Sequence, residues 1–241
     1  MVWGIFNLLN DLLFPSYCAV CGKLLIGKNN HAVACKDCWE EYFKPFVGTK
    51  CKVCGHPVEK LPGSGNLCQR CLESRRIFYF EGIDFYGTYD GLIEYAIHEL
   101  KFEKNLQVVE VIGRTIKNRL LRFALINQVD VITFVPSSKE RIKERGYDHC
   151  EEILKACNIS FKKLISKDVE TKRQSTLKFS ERQENIKGCF KATNSVRGKR
   201  ILLFDDVFTT GATANEAART LKEAGAEKVF VFTVAYTVLG K

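Results

Sequence analysis

Eight of the eleven cysteines form four C-x-x-C pairs within the first third of the chain, and this pattern restricts the fold more than any other feature. The pairs are Cys18/Cys21, Cys35/Cys38, Cys51/Cys54 and Cys68/Cys71. Each pair places two sulfurs on one tight turn, and two such turns supply the tetrahedral four-sulfur set that Zn²⁺ takes. We therefore predict two structural zinc ions rather than disulfides. Sequential pairing of the turns is the simplest arrangement, although the spacing leaves a crossed arrangement open.

Residues 17–75 carry few large apolar side chains besides these cysteines. Such a segment cannot bury enough surface to offset its chain entropy, so zinc has to supply the missing stability. His31 and His56 lie nearby, but eight sulfurs already complete two sites, and we expect both histidines at the surface. Eight thiolates and the four positive charges of two zinc ions would lower the formal net charge from +9 to +5.

The N-terminal residues 1–16 are apolar, but Asp11 interrupts them and no basic leader precedes them. This pattern favours an amphipathic helix docked on the body over a signal peptide. The sequence also has no run of about 18 apolar residues, the length that a membrane helix needs. We therefore expect a cytoplasmic protein.

Residues 76–241 alternate between strand-like and helix-like patterns, which predicts a second domain of the α/β class. The strand candidates are residues 83–89, 131–136, 201–206 and 229–236. The helix candidates are residues 91–102, about 106–124, about 146–157 and 213–225. This alternation indicates a mainly parallel sheet flanked by helices, and ligands of such folds bind beyond the carboxyl ends of the strands.

The stretch 201-ILLFDDVFTTGAT-213 places two aspartates at the end of an apolar run. Adjacent carboxylates in a partly dry site repel, so polyol hydroxyls, Mg²⁺ or basic groups must compensate. The residues 209–213 that follow lead into a helix, where backbone N–H groups, hydroxyls and the helix dipole form an anion site. Polyol binding beside an anion site indicates a phosphorylated sugar as the ligand.

The stretch 204-FDDVFTTGAT-213 resembles the phosphoribosyl pyrophosphate (PRPP) motif of type I phosphoribosyltransferases. The whole chain resembles the ComF/GntX family of competence-associated proteins, which joins a double zinc ribbon to such a domain. The matching stretches are the cysteine pairs, 89-YDGLIEYAIHELKF-102, 135-VPSSKERIKERGYDHC-150 and 174-QSTLKFSERQENIKGCF-190. The resemblance implies an N-terminal helix at 1–16, a double zinc ribbon at 17–75 and a type I phosphoribosyltransferase-like domain at 76–241.

The resemblance also implies roles for individual residues. Asp205 and Asp206 would hold the ribose hydroxyls, directly or near Mg²⁺. The 5′-phosphate would bind the segment Thr209, Thr210, Gly211, Ala212 and Thr213, and the pyrophosphate would bind near Ser137, Ser138, Lys139, Arg145 and Lys101. The predicted catalytic set is Asp205, Asp206, Lys139 and Arg145. The chain departs from the family at 145-RGYDH-149, where members often carry R-G-F-N-Q, so the role of Asp148 is an open question.

Residues 168–184 resemble the mobile loop that closes over the substrate, with basic residues Lys172, Arg173, Lys178 and Arg182. The implied chemistry is displacement of pyrophosphate at the sugar C1 through an oxocarbenium-like transition state, with Mg²⁺ and basic groups stabilising the leaving charge. The sequence shows no general base for an acceptor. His98 and His149 are candidates, and a structural role is the competing interpretation for each.

Residues 139–200 hold seventeen Lys and Arg against nine Asp and Glu, a surplus that attracts polyanions. The resemblance to the ComF/GntX family implies a link to natural transformation, and with this basic segment we expect a ComF-like protein that binds PRPP with Mg²⁺ and supports uptake of single-stranded DNA. The expected partners are PRPP, single-stranded DNA and proteins of a DNA-import machinery. The alternative is an active phosphoribosyltransferase of nucleotide metabolism with an unidentified acceptor.

Overall fold

The computed structural model describes residues 15–25, 32–59, 65–73, 78–103, 105–167 and 186–238. The predicted loop at 168–184 and the predicted domain boundary at 75 and 76 lie outside the described residues. The predicted N-terminal helix lies outside them except for its last two positions. Of these, Ser16 begins a strand.

The cysteine-rich segment contains short elements arranged around two clusters of sulfur. Strands β1 (Ser16–Tyr17) and β2 (Leu24–Leu25) pair antiparallel, and two short helices follow, α1 (Lys36–Tyr42) and α2 (Gln69–Glu73). The four sulfurs of Cys18, Cys21, Cys35 and Cys38 lie within 4.8 Å of one another, and so do those of Cys51, Cys54, Cys68 and Cys71. The pairing is therefore sequential. Sulfur separations of 3.6 and 3.8 Å between neighbouring turns are too long for disulfides and fit two four-sulfur zinc sites.

The rest of the chain is built on one parallel sheet, as the alternating pattern predicts. Its strands are β3 (Gly82–Thr88), β4 (Val131–Phe134), β7 (Arg200–Phe208) and β8 (Lys228–Tyr236), in the spatial order β3-β8-β7-β4. The helices are α3 (Gly91–Phe102), α4 (Leu106–Ile126), α5 (Lys139–Arg145), α6 (His149–Ala156) and α7 (Ala212–Glu223). Strands β5 (Ile165–Lys167) and β6 (Phe190–Ala192) form a separate antiparallel pair.

Apolar side chains cover both faces of the sheet. Because successive side chains of a strand point to opposite faces, Leu202 and Phe204 of β7 face the layer of α3, α4 and α6. Ile201 and Leu203 face α7 and the β5–β6 pair. Burial on both faces explains why the central strands are near-continuous apolar runs, and it leaves the ends of the strands as the place for polar side chains.

An ionic cluster and several hydrogen bonds join the cysteine-rich segment to the sheet. Asp84 of β3 is paired with Lys50, and its Oδ2 lies 3.1 Å from Arg119 Nε of α4. Arg119 also donates to the carbonyl of Phe46 over 2.9 Å. Trp39 of α1 donates from Nε1 to Thr115 Oγ1 over 3.1 Å. The cysteine-rich segment therefore contacts the sheet domain through both β3 and α4.

Three local features differ from the sequence-based prediction. The helix predicted from about residue 146 begins at 149, because Asp148 caps it and accepts hydrogen bonds from the N–H groups of Cys150 and Glu151. Gly146, at φ 92°, ends a helix that the prediction lacks, α5. The β5–β6 pair is also absent from the prediction. None of the helices in the described residues combines the length and hydrophobicity of a membrane span.

Candidate ligand cleft

Asp205 and Asp206 lie where β7 extends past its neighbour β4. Strand β4 ends at Phe134, which is paired with Phe204, so the two aspartates project beyond the end of β4. Both are nearly buried, with 9% and 6% of their surfaces exposed. The carboxylates therefore form one wall of a cleft at the carboxyl end of the sheet, as the sequence predicts.

The two carboxylates have different partners. Lys101 Nζ of α3 is ion-paired with Asp206 Oδ2, and His149 Nε2 lies 3.6 Å from Asp206 Oδ1. Asp205 Oδ1 accepts a hydrogen bond from the N–H of Asp206 over 2.9 Å and lies 3.8 Å from Cys150 Sγ. Within the part of the chain that the structure describes, Asp206 is the member of the pair with a cationic side chain, Lys101, in direct contact.

This asymmetry separates the acidities of the pair. Burial raises the pKa of Asp205 well above its usual range, and the neighbouring charge of Asp206 raises it further. Burial acts in the same direction on Asp206, but Lys101 and His149 hold the pKa of that carboxyl well below its usual range. The two carboxyl groups therefore differ in acidity, and Asp205 is the weaker acid of the pair.

His149 is held in a fixed orientation by Arg145 and Ser137. Arg145 NH1 lies 2.7 Å from His149 Nδ1, and Ser137 Oγ lies 3.2 Å from the same nitrogen. Because arginine only donates, Nδ1 is the acceptor, which assigns the ring proton to Nε2, facing Asp206. Its Nδ1 is therefore occupied by Arg145 and Ser137, while its Nε2 faces Asp206. His98, the other candidate, is exposed, and its ring lies 4.7 Å from that of Phe102, which lines the cleft, although His98 itself does not.

Asp148 has a structural role in the turn where the chain departs from the family pattern. Its Oδ2 accepts a hydrogen bond from the N–H of Ser137 over 2.7 Å, and its Oδ1 caps α6 through the N–H of Cys150 at 3.0 Å. Both oxygens of the Asp148 carboxylate thus accept hydrogen bonds from backbone N–H groups. This arrangement ties the segment after β4 to the start of α6.

The second wall of the cleft is the turn at residues 209–213, here called the phosphate turn. Gly211 has φ 79° and precedes the first residue of α7. Thr210 is buried, and its Oγ1 accepts a hydrogen bond from the N–H of Ala212 over 3.2 Å. A β-carbon on residue 211 would lie 2.5 Å from Phe208 Cζ, so both the backbone angle and the space require glycine.

The cleft has a volume of about 530 Å³ and contains most of the predicted site residues. Those on its wall are Lys101, Ser137, Arg145, Asp205, Asp206, Thr209, Gly211, Ala212 and Thr213. Three predicted residues do not line the cleft wall. The Thr210 hydroxyl accepts a hydrogen bond within the phosphate turn, Ser138 caps α5, and Lys139 is exposed on that helix.

Several cleft residues are missing from the sequence-based prediction, among them Tyr89, Arg141 and Lys167. Arg141 could have been found, because it lies four residues before Arg145 and shares its helix face. Lys167 is on β5, and burial lowers its pKa. Its position depends on tertiary pairing with β6, which no local pattern reveals.

Comparison with known proteins matches two family models in the order that the fold shows. Residues 9–72 match a double zinc ribbon domain, and residues 146–238 match a phosphoribosyl transferase domain. Competence protein ComFC of Streptococcus pneumoniae is 25% identical, and the match covers 90% of this chain and 98% of that protein. The chain is thus similar to ComFC over nearly its whole length. A double zinc ribbon followed by a phosphoribosyl transferase domain is present in the order that the fold shows.

Two further relatives have related names. Competence protein F of Haemophilus influenzae is 25% identical over 92% of this chain and 97% of that protein. DNA utilization protein YhgH of Escherichia coli K12 is 26% identical over 79% of this chain and 85% of that protein. Among solved structures, a Staphylococcus aureus hypoxanthine phosphoribosyltransferase is 12% identical over 52% of this chain and 61% of that chain, with a TM-score of 0.34, which is too low to support an argument.

Proposed function

We propose that this protein binds PRPP in the cleft between the carboxylate pair and the phosphate turn. The observation that carries the proposal is the meeting, in one cleft, of two buried carboxylates and a glycine turn that leads into a helix N-terminus. Carboxylates bind vicinal hydroxyls and a helix N-terminus binds an anion, so the pair fits a sugar that carries a phosphate. A pyrophosphate at C1 would meet the cations of the opposite wall, Lys101, Arg141, Arg145 and Lys167.

The carboxylate pair also fits the Mg²⁺ ion that accompanies PRPP. Mg²⁺ prefers hard oxygen ligands, and Asp205 and Asp206 supply carboxylate oxygens. Lys101 balances one of the two charges, so ionisation of both groups leaves a negative charge that a cation can offset. Bound there, Mg²⁺ would stabilise charge on the pyrophosphate oxygens.

Calorimetric titration with Mg²⁺-PRPP tests this proposal. We expect saturable binding by the wild-type protein and a loss of at least about 100-fold in affinity for Asp205→Ala/Asp206→Ala, since the ribose and metal contacts both disappear. The matched control is Glu40→Ala/Glu41→Ala, an adjacent acidic pair exposed on α1, which should bind as the wild type does.

The sign of the effect distinguishes two roles for the aspartates. If they served only to repel phosphate, their removal would strengthen PRPP binding. Circular dichroism on each variant separates lost binding from lost folding. Absence of binding to the folded wild type would contradict the proposal.

We further propose that the protein supports uptake of single-stranded DNA from the cytoplasmic side, with proteins of a DNA-import machinery as partners. Support comes from the names of the relatives and from the basic character of residues 139–200. On α5, Lys139 and Lys143 are exposed beside the cleft residues Arg141 and Arg145. Single-stranded DNA with its phosphate backbone along α5 would thus pass the opening of the cleft.

Charge reversal on α5 tests the DNA surface. Lys139→Glu/Lys143→Glu should weaken binding of a single-stranded oligonucleotide about tenfold or more, and the slope of log K against log salt should fall by about 0.7 for each lost phosphate contact. Lys36→Glu/Lys44→Glu, two exposed positions of the zinc module, is the matched control. Equal weakening by both double variants would show a general charge effect and would reject α5 as the surface.

A further inference from the structure

We propose that the second zinc ribbon, described at residues 50–59 and 65–73, holds the phosphate turn in its binding shape, and that Tyr236 is the positioning residue that joins them. The inference rests on the proposed PRPP site for the identity of the anion. It concerns a different part of the molecule, because neither Tyr236 nor the ribbon lines the cleft itself.

Tyr236 is the last residue of β8 and lies directly beside Phe208, the last residue of β7. Their rings are stacked, with centroids 5.2 Å apart and an interplanar angle of 12°. The N–H of Thr237 also donates to the carbonyl of Phe208 over 2.8 Å. The position of the Phe208 side chain is therefore set by the end of β8.

Phe208 in turn determines the course of the phosphate turn. Its ring fills the space next to Gly211, where a β-carbon would meet it at 2.5 Å. Since Gly211 starts the turn into α7, a shift of the Phe208 ring would shift the backbone that faces the anion. The ring of Phe208 is thus the support on which the turn rests.

The second ribbon touches Tyr236 from the other side. The Tyr236 hydroxyl interacts with the Cys54 sulfur, a member of the second four-sulfur set, and both side chains line one small cavity. At Gly55, a β-carbon would lie 3.6 Å from Tyr236 Cε2, and the His56 ring lies 6.2 Å from the Tyr236 ring. The first turn of the ribbon therefore packs around this one side chain.

A small cavity of about 30 Å³ between the two parts shows how close they are. Its wall is made by Cys54, Cys68 and Cys71 on one side and by Phe208, Thr209 and Thr210 on the other. Phe208 and Thr209 also line the ligand cleft. The start of the phosphate turn therefore lies between the proposed anion site and the second four-sulfur set.

The first ribbon contacts a different part of the domain. Its Trp39 and Phe43 pack with the layer of α3 and α4, on the face of the sheet opposite α7. Tyr86 donates from its hydroxyl to the Phe43 carbonyl over 3.2 Å. Tyr86 therefore provides a matched control, because it too joins a ribbon to the sheet through one hydroxyl.

The test uses the zinc-loaded full-length protein and the variants Tyr236→Phe, Tyr236→Leu and Tyr86→Phe. Three quantities are measured: zinc content, Mg²⁺-PRPP affinity by calorimetry, and ligand-free hydrogen exchange of the peptide 208–214. Loss of the hydroxyl in Tyr236→Phe should weaken PRPP binding about threefold to tenfold, in line with one hydrogen bond. Loss of the stack in Tyr236→Leu should weaken it further and speed exchange in the peptide, while Tyr86→Phe changes neither.

The outcomes separate this inference from the proposed function. If the wild type does not bind Mg²⁺-PRPP, the proposed function fails and the exchange rates alone decide whether the ribbon supports the turn. If Tyr236→Leu loses zinc, the comparison of Tyr236→Phe with Tyr86→Phe decides. Unchanged affinity and unchanged exchange in both Tyr236 variants would overturn the inference.

Discussion

Removal of zinc is expected to unfold residues 15–73 and to lower the stability of the whole chain. Each four-sulfur set is the centre of its ribbon, and structural zinc contributes on the order of 10 kcal/mol per site. The consequence extends beyond the ribbons, because Trp39 and Phe43 belong to the same core as α3 and α4. Their loss would expose apolar surface on both helices.

The measurement is hydrogen exchange, segment by segment, before and after chelation at neutral pH. We expect two zinc ions per chain at the start, complete loss of protection in the ribbons, and partial loss in α3 and α4. Cys51→Ser should reproduce the effect for the second ribbon. The matched control is Cys189→Ser, because Cys189 is equally buried, at 2% exposure, but belongs to neither set.

Two results would contradict this expectation. One is a stoichiometry below two zinc ions per chain, which would show that one set of sulfurs binds no metal. The other is full protection of the ribbons after zinc has been removed, which would show that their packing against the sheet suffices.

The sequence was most informative where chemistry depends on spacing along the chain. The C-x-x-C pairs predict the two sulfur clusters because each pair is one turn, and only their sequential pairing required the structure. The stretch 201–213 likewise predicts a strand, two carboxylates and an anion turn, since all three follow one another directly. The strand is longer than expected and ends at Phe208.

What the sequence could not show depends on contacts between distant residues. Helix α5 has only Ile142 as an apolar residue, so hydrophobic periodicity fails there, although Ser138 and Gly146 are recognisable caps. The pairing of β5 with β6 brings Lys167 into the cleft from a segment with no strong pattern. The different partners of Asp205 and Asp206 come from α3 and α6, which only the fold brings together.

Opposite effects on stability are expected when each aspartate of the pair is replaced by the isosteric amide. Asp205→Asn removes a carboxyl group with a pKa that burial raises, and it keeps an oxygen for the N–H of Asp206. We expect it to raise the free energy of unfolding at pH 7 by about 1 kcal/mol. Asp206→Asn leaves the half-buried Lys101 without its ion-pair partner and should lower that free energy by about 3 kcal/mol. Both should weaken PRPP binding.

The pH dependence provides an independent check on Asp205. Because the pKa of Asp205 is raised in the folded state, its contribution to stability is complete below the unfolded pKa of about 3.9 and is lost as pH rises towards the folded pKa. Within that window the folded chain holds one more proton than the unfolded chain, so the wild type loses up to about 1.4 kcal/mol per pH unit from this group. The Asp205→Asn variant does not lose stability in this way, so the difference between its free energy of unfolding and that of the wild type should increase as pH rises.

Urea unfolding at a series of pH values, over the whole range in which the proteins keep their zinc, measures both effects. Asp148→Asn is the comparison, since Asp148 is a buried carboxyl with both oxygens accepting backbone hydrogen bonds, and the amide keeps one of the two acceptors. If Asp205→Asn were as destabilising as Asp206→Asn, the proton would be shared differently, and the pair would act as one unit held by Lys101. If the two differ in sign, Asp205 is kept as an acid at a cost in stability, which is expected of a group retained for binding rather than for folding.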